Sequence, residues 1–283
     1  MSDVFGDSRY ATLPDGRRLH HVTQGSGGPV VVFESGLGAT RTEWGLVLPA
    51  LAKHTTVVAY DRAGLGRSDR DPARRDLERM VADLGHLLDH LGAGPYILAG
   101  HSLGGPIIRG YAAAHPERVA ALVLIDQAAE DLDIYYARRT RAAALALQSA
   151  LIVLSRLGVK TITSEVRRIL RLFPADMRAE AVAEMTRTSE LRATRAEYEA
   201  LAEGLARLRD STRPLPPVPV TAISGALAPS AIERRVRPDL IASHQRLVAA
   251  LPYGRHVVAG KSGHMVPQDE PELVIEEIVR LLP

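Results

Sequence analysis

A strand-like run, a glycine-rich turn and a helical segment in succession constrain the fold of this chain more than any other stretch. The apolar residues 95–99 lead into Gly-His-Ser-Leu-Gly-Gly at 100–105, and a helical pattern follows over 106–113. Glycines two residues before and two residues after Ser102 let neighbouring backbone pass close to a strained turn, where a side chain would clash. We therefore expect a sharp strand-to-helix turn, here called the elbow (residues 100–105), with the Ser102 hydroxyl exposed above the edge of a sheet.

Other apolar runs alternate with helical segments, and this alternation predicts the architecture. Strand-like runs lie at residues 29–33, 55–60 and 119–125, and a helix with one buried face is predicted within residues 77–91. Such alternation requires crossover connections, which predicts an α/β fold with a mainly parallel sheet and helices on both faces. A Pro-Asp-Gly turn at 14–16 between two short strand-like runs predicts a hairpin ahead of that sheet.

The alternation stops after Asp126. Residues 127–212 contain no convincing strand and are rich in Ala, Leu, Arg and Glu, so we interpret them as a helical cap above the strand ends. Strand-like residues resume at 218–223, after a proline-rich boundary. The predicted organisation is an α/β core domain of residues 1–126 and 213–283 that carries a cap of residues 127–212.

Composition argues against several classes of function and location. The 283-residue chain has no cysteine, which removes disulfides, thiolate metal sites and thiol catalysis and fits a cytoplasmic location. Its net charge is +2 without a basic stripe of interleaved aromatics, so we expect no nucleic-acid partner. No signal peptide is readable at the N-terminus. The apolar run 142–157 is shorter than the roughly 20 residues of a membrane span, and we expect a buried amphipathic helix, with shallow membrane contact as the alternative.

Ser102 needs a base, because a serine hydroxyl is a poor nucleophile until its proton is removed. Of the ten histidines, His264 is the best placed, since it lies in a loop between the last predicted strand (256–259) and the last predicted helix (270–282). Ligands of parallel α/β proteins gather at the carboxyl ends of the strands, and both Ser102 and His264 follow such ends. We therefore predict that His264 is the catalytic base.

The order of these features resembles the α/β-hydrolase superfamily. The elbow, the helical insertion and Ser-Gly-His at 262–264 follow an upstream Asp-Arg-Ala-Gly-Leu-Gly-Arg-Ser at 61–68, and the resemblance covers nearly the whole chain. It implies an α/β-hydrolase fold and acyl transfer to water through an acyl-enzyme on Ser102, with no metal or organic cofactor.

The resemblance also implies an oxyanion hole formed by backbone. Its donors here would be the N–H groups of Leu37 and Leu103, the second of which directly follows the nucleophile. Many members begin the first of these loops with His-Gly, whereas this chain has Ser35 and Gly36. Because the donor belongs to the backbone, this departure is compatible with the function.

The acid of the triad departs from the commonest pattern. Relatives of this type most often place it after the strand that follows the cap, where this chain has Ala228. Other members place it at the end of the strand after the elbow helix, which here is Asp126. Burying a carboxylate unpaired at that edge would be costly, so we predict Asp126 as the acid, with helix N-capping as the alternative role. The reserve candidates are Glu130, Asp131 and Asp133.

Four further residues near the predicted site are interpreted as structural. Glu34 is expected to bond loop backbone or to pair with an arginine such as Arg62. Arg62 and Asp69 are expected to fix the loop that follows residue 60. Trp44, the only tryptophan, is expected to be a packing residue.

The function predicted from these residues is cleavage of a carboxylic ester, or a related acyl compound, of a small and partly hydrophobic molecule. Serine in place of aspartate argues against the epoxide hydrolase and haloalkane dehalogenase chemistries, which the resemblance associates with an alkyl-enzyme ester. Lactonase, amidase, carbon–carbon bond hydrolase and perhydrolase activities are also compatible. A ligand sensor with slow or absent turnover is the alternative outside catalysis, and the absence of an acid at Ala228 is what suggests it.

Overall fold

The computed structural model describes residues 2–3, 5–159 and 164–283. Its strands are β1 (Ser2–Asp3), β2 (Gly6–Thr12), β3 (Arg18–Gln24), β4 (Val31–Glu34), β5 (Val57–Tyr60), β6 (Tyr96–His101), β7 (Val119–Ile125), β8 (Val220–Gly225) and β9 (Gly254–Ala259). Its α-helices are α1 (Leu48–Leu51), α2 (Leu77–Leu91), α3 (Gly104–Ala114), α4 (Arg138–Arg156), α5 (Ser164–Leu170), α6 (Ala175–Met185), α7 (Thr188–Asp210), α8 (Ala231–Ala249), α9 (Val266–Asp269) and α10 (Pro271–Val279).

All nine strands form one sheet in the order β1-β2-β3-β5-β4-β6-β7-β8-β9. The pairs from β5 through β4 and β6 to β9 are parallel, whereas β1, β2 and β3 are antiparallel to their neighbours. Every residue of β4, β5 and β6 is buried, as expected of parallel strands covered on both faces. The predicted parallel sheet and the predicted N-terminal hairpin are both confirmed.

Alternate residues of the central strands pack into two hydrophobic layers, one on each face of the sheet. Val31 and Phe33 of β4 join the layer that contains Trp44, while Val32 joins the opposite layer with Leu84 of α2. Trp44 is completely buried and its Nε1–H donates to Ser35 Oγ at 3.0 Å. The predicted packing role of Trp44 is therefore confirmed, and each such large apolar side chain contributes about 1.5–3 kcal/mol on burial.

The segment between β7 and β8 is helical, with α4 to α7 and no strand among its described residues 127–159 and 164–212. The apolar run of residues 142–157 does form a helix, but the expectation that it is buried is wrong. Ile152 is the one buried residue of α4, while Leu147 is 61% exposed and Leu157, just after the helix, is 74% exposed. Because α4 packs mainly against α7, one stripe is covered and the rest of its surface faces outward.

Two helices that the sequence pattern predicts near the site, at residues 44–53 and 239–250, differ from the observed ones. Around the first stretch the structure has only a 3₁₀ turn at Arg41–Trp44 and the single-turn helix α1. Helix α8 starts earlier than predicted, because Ser230 and Glu233 form a capping box at its N-terminus. It then continues through Pro238, a residue that normally interrupts a helix.

Within the part of the chain that the structure describes, no helix combines the length and apolarity needed to cross a membrane.

Candidate active site

The elbow has the strained geometry that its glycines predict. Ser102 has a φ of 51°, in the left-handed region that non-glycine residues rarely adopt. A Cβ on Gly104 would lie 2.2 Å from the carbonyl oxygen of Glu34, so glycine is required where α3 passes the end of β4. The Ser102 N–H donates to the Ile125 carbonyl at 3.0 Å, which ties the turn to β7. The Ser102 side chain is thus held at the carboxyl edge of the sheet.

The structure brings Ser102, His264 and Asp126 together. Ser102 Oγ lies 3.1 Å from His264 Nε2, and His264 Nδ1 lies 2.7 Å from Asp126 Oδ2. The three residues follow β6, β9 and β7, so the carboxyl ends of parallel strands supply all three. The His264 side chain is 40% exposed and that of Asp126 is fully buried. This is the geometry of a nucleophile, a base and a residue that orients the base.

Asp126 is held as a carboxylate by three sets of donors. Its Oδ1 accepts from the Gly225 N–H at 3.0 Å, and Arg237 Nη1 donates to Oδ1 at 2.6 Å and to Oδ2 at 2.8 Å. Burial acts to raise the pKa of Asp126, but the hydrogen bond from His264 and the charge of Arg237 outweigh it and lower that pKa to about 2. The carboxyl group is therefore ionised at neutral pH.

The alternative role of Asp126 as a helix N-cap is not observed, because its side chain bonds Gly225, Arg237 and His264 instead of the first turn of a helix. The reserve carboxylates also have other partners. Glu130 pairs with Arg109 and Asp131 pairs with Arg246, while Asp133 begins a short 3₁₀ helix.

Ala228 lies where relatives most often carry the acid, and the loop around it supports His264 through backbone contacts. The Leu227 N–H donates to the Ser262 carbonyl at 2.8 Å. A Cβ on Gly225 would lie 1.8 Å from the carbonyl oxygen of Gly263, so the two loops touch backbone to backbone. The loop after β8 thus fixes the histidine loop without supplying a carboxylate.

The backbone N–H groups of Leu37 and Leu103 donate to no partner within the described residues, whereas the N–H groups on either side of Leu37 both have acceptors. The Gly36 N–H donates to Glu43 Oε2 at 2.8 Å, and the Gly38 N–H donates to Glu197 Oε2 at 3.0 Å. A Cβ on Gly36 would lie 3.4 Å from the Ser102 Cβ, so this loop runs directly beside the nucleophile. We call residues 35–38 the oxyanion loop, after the role predicted for the Leu37 N–H.

Arg62 binds the oxyanion loop to both the core and the helical insertion. Its guanidinium donates to the carbonyl oxygens of Ser35 and Gly36, each at 2.6 Å. It also pairs with Glu34 at 2.8 Å and with Glu197 of α7 at 2.7 Å. The expected Glu34–Arg62 pair and the structural role of Arg62 are therefore confirmed.

Asp69 contributes to the same region from the surface. Its carboxylate accepts from the backbone N–H of Arg18 at 2.9 Å and pairs with the side chain of that residue. The loop that follows β5 is thereby fixed to β3, as predicted.

A cavity of about 360 Å³ adjoins the exposed side of His264. Its walls come from the helical insertion and from α8, and they are mainly apolar or aromatic. Tyr135, Tyr198, Leu240 and Met265 line it together with Arg237. The cavity size suits a small organic molecule placed against the histidine.

Three contributors to the site were missed at the sequence level: Arg237, Glu43 and His101. Arg237 lies in the part of α8 that precedes the predicted helix start, and nothing in its local sequence indicates a distant carboxylate partner. His101 was interpreted only as part of the elbow. A histidine buried between two acceptors is visible only once the loops are in place.

A model of the Alpha/beta hydrolase family matches residues 31–277, and the chain therefore belongs to that family. The α/β-hydrolase fold predicted from the elbow and the strand pattern is confirmed.

Among curated proteins, the chain is 36% identical over 108 residues to "Putative carbamate hydrolase RutD" of Azorhizobium caulinodans, covering 38% of this chain and 40% of that protein. It is 34% identical over 119 residues to a soluble epoxide hydrolase of Corynebacterium sp. (strain C12), covering 42% and 41%. The chain spans about two fifths of the length of these relatives.

Among solved structures, the epoxide hydrolase CorEH without ligand matches with a TM-score of 0.76 at 25% identity. The match covers 97% of this chain and 98% of that chain. The similarity in fold therefore includes the helical insertion as well as the sheet.

Proposed function

We propose that this protein is a serine hydrolase that cleaves a carboxylic ester, or a related acyl compound, through an acyl-enzyme on Ser102. The observation that carries the proposal is the hydrogen-bonded series Ser102–His264–Asp126, with separations of 3.1 and 2.7 Å. The strained φ of Ser102 adds support, because backbone strain of this kind is concentrated at functional sites.

In the first half-reaction, Ser102 Oγ attacks the carbonyl carbon while His264 Nε2 takes the hydroxyl proton. The negative charge that develops on the carbonyl oxygen is stabilised by the N–H groups of Leu37 and Leu103. His264 then gives its proton to the leaving alcohol, and the acyl group stays on Ser102. Asp126, ionised throughout, accepts from His264 Nδ1–H and so presents Nε2 to the serine.

The second half-reaction repeats these steps with water as the nucleophile. His264 takes a proton from water, the resulting oxygen attacks the acyl carbon, and the proton returns to Ser102 Oγ as the carboxylic acid leaves. The whole cycle uses only side chains and backbone amides of this chain.

The mainly apolar cavity beside His264 supports a substrate that is small and partly hydrophobic. Its volume of about 360 Å³ lies at the small end of ordinary ligand pockets. Carbamates, lactones and amides present the same carbonyl to the same nucleophile and belong in the substrate panel.

Two competing assignments are less well supported. Epoxide opening through an alkyl-enzyme ester requires a carboxylate nucleophile, and position 102 is a serine, whatever the names of the relatives. The sensor alternative depended on the lack of an acid at Ala228, and the contact between Asp126 and His264 removes that argument.

Labelling with a fluorophosphonate followed by peptide mapping tests the proposal. We expect a single adduct on Ser102, no adduct in Ser102→Ala, and a loss of ester turnover of about 10⁴-fold or more in that variant. Ser149→Ala, on α4, is the matched control and should label and turn over like the wild type. An adduct at another residue, or none, would contradict the serine mechanism.

A p-nitrophenyl ester series of increasing acyl length then tests the substrate class. We expect kcat/KM to rise with the first few methylenes and to fall once the acyl chain exceeds the cavity, because each methylene buried in an apolar pocket contributes about 0.8 kcal/mol. A flat profile would argue against acyl binding in the cavity beside His264.

A further inference from the structure

A second buried ionisable pair lies against the candidate triad. His101 Nδ1 is 2.7 Å from Glu43 Oε1, and His101 Nε2 is 2.8 Å from the backbone carbonyl oxygen of His264. The rings of His101 and His264 are 4.7 Å apart. Both members of the pair are buried, so water does not compete for these hydrogen bonds.

The partners of His101 define its protonation. A carbonyl oxygen only accepts hydrogen bonds, so Nε2 must carry a proton. The lowered pKa of Glu43 makes it a carboxylate, whose second oxygen accepts from the Gly36 N–H at 2.8 Å, and a carboxylate has no proton to donate, so Nδ1 carries a proton as well. A histidine that donates from both ring nitrogens is an imidazolium.

The electrostatics agree with this geometry. Burial acts against the charged forms, but the adjoining Glu43 carboxylate and the hydrogen bond to the His264 carbonyl raise the pKa of His101 above its ordinary value. Glu43 is buried too, yet His101 and the Gly36 N–H lower the pKa of its carboxyl group. The other charged groups that act on the pair are Asp126 toward His101 and Arg62 toward Glu43.

The pair also connects two loops of the site, the oxyanion loop and the loop that carries His264. Glu43 holds the oxyanion loop through Gly36 and holds His101 through its other oxygen. His101 in turn holds the backbone of His264, and Gln268 of α9 donates to the Glu43 carbonyl at 2.9 Å. One continuous set of hydrogen bonds therefore runs from the oxyanion loop to the backbone of His264.

We propose that Glu43 and His101 are positioning residues for the reaction: as a charged, hydrogen-bonded pair they hold the oxyanion loop and the histidine loop at a fixed separation. The inference rests on the proposed function, because it assigns the pair a role toward Ser102 chemistry. The charges strengthen the hydrogen bonds of the pair, because charge-assisted hydrogen bonds are stronger than neutral ones.

Three isosteric variants separate charge from geometry. Glu43→Gln can still accept from Gly36 and donate to His101, but it removes the anion that keeps His101 charged. His101→Asn keeps a donor near the position of Nδ1, and His101→Gln keeps one near the position of Nε2, so each retains one of the two contacts. Glu130→Gln, which breaks a partly buried pair with Arg109 away from the triad, is the matched control.

We expect His101→Asn and His101→Gln to lower kcat roughly 10- to 100-fold with KM unchanged, as misplacement of reacting groups does. We expect Glu43→Gln to lower kcat by less, because its hydrogen bonds can persist without the charges that strengthen them. Glu130→Gln should match the wild type in both kcat and KM. Wild-type kcat in all three test variants would overturn the proposal.

A measurement on the unaltered protein keeps the test decisive if a variant fails to fold. Nitrogen-15 NMR of histidine-labelled wild type should show both ring nitrogens of His101 protonated at neutral pH, and a neutral His101 would overturn the proposal. Fluorophosphonate labelling of the wild type separates the two levels of inference. Failure to label Ser102 contradicts the proposed function, whereas normal labelling with a neutral His101 contradicts only the positioning role.

Discussion

Buried carboxylates behave in opposite ways in two regions of the molecule. At the candidate active site, Asp126 and Glu43 have lowered pKa values, and that of Asp126 is about 2. At the contact between the core and the helical insertion, burial raises the pKa of Glu34 to about 7 and that of Glu190 to about 8. All four side chains are buried, so burial by itself does not explain the difference.

The pKa values differ because the carboxylates differ in how many hydrogen-bond donors serve each of them alone. Asp126 is bonded by His264, Gly225 and Arg237, which together outweigh the cost of removing a charge from water. Glu190 accepts from the Gly66 N–H at 3.0 Å and lies near two other acids, Glu184 and Asp61, whose charges raise its pKa further.

A carboxylate that shares its cation with another carboxylate has an intermediate pKa. Glu34 is paired with Arg62, which lowers its pKa against the larger effect of burial, but the same guanidinium also serves Glu197, whose charge acts in the raising direction. A dedicated cation keeps a carboxylate ionised, whereas a shared or distant one leaves it protonated near neutrality.

The largest expected effect comes from removing the charge of Asp126 at the carboxyl edge of the sheet. Asp126→Asn should reduce kcat by about 10⁴-fold, because the amide no longer favours the tautomer in which His264 Nε2 accepts the serine proton. Steady-state kinetics with a p-nitrophenyl ester measure it. Asp131→Asn, which disturbs a surface pair with Arg246, is the control and should retain activity. Equal losses of kcat in the two variants would contradict a specific role for the Asp126 charge.

The next effect concerns the cation at the contact between core and insertion. Arg62→Met leaves Glu34 and Glu197 buried without their cation and should lower the free energy of unfolding by about 3–5 kcal/mol. Urea titration at neutral pH measures the loss. Arg74→Met breaks an exposed pair with Glu203 and should leave the free energy of unfolding nearly unchanged. A neutral result for Arg62→Met would mean that this contact does not depend on its ion pairs.

The smallest effect is the pH dependence that Glu190 introduces. Its pKa is about 8 in the folded protein against an ordinary value of 4.5, so the folded state holds an extra proton between these values. Its contribution to the free energy of unfolding is therefore fully present at low pH and falls as pH rises through that window.

Glu190→Gln should flatten this slope and leave the variant more stable than the wild type above pH 8, by about 2 kcal/mol after allowing for relaxation of the site. Urea titrations at several pH values measure the change. Glu276→Gln, on the exposed face of α10, is the control. Parallel pH–stability curves for Glu190→Gln and the wild type would show that Glu190 is ionised in the folded protein.

The candidate site could be predicted where local pattern and sheet topology coincide. Ser102, Asp126 and His264 each follow an apolar strand, and because parallel strands share one carboxyl edge, their order along the chain implied proximity. The glycines of the elbow marked the position of Ser102 directly. The partnership of Asp126 was likewise readable, since a carboxylate that ends a buried strand requires a partner.

Apart from the Glu34–Arg62 pair, the charged partners could not be predicted, because they depend on which helix faces dock. Glu184 and Glu197 lie on helices with many charged residues, and periodicity does not say which of these charges become buried. Arg237 required the observed start of α8, and the pairing of Glu43 with His101 required two loops at their final separation. The exposure of α4 has the same cause, since an apolar stripe does not reveal how much of it a neighbour covers.

The contacts of Arg62 have a consequence for exchange of the insertion between relatives. Two core arginines, Arg41 and Arg62, reach carboxylates on α6 and α7, namely Glu184 and Glu197. A chimera that carries a foreign insertion without acids at these two places would remove one carboxylate partner from each guanidinium and release the Gly38 amide at the same time. A grafted insertion therefore needs acids at the positions of Glu184 and Glu197, whatever pocket it brings. Engineering of substrate scope in this protein should begin by preserving these two residues.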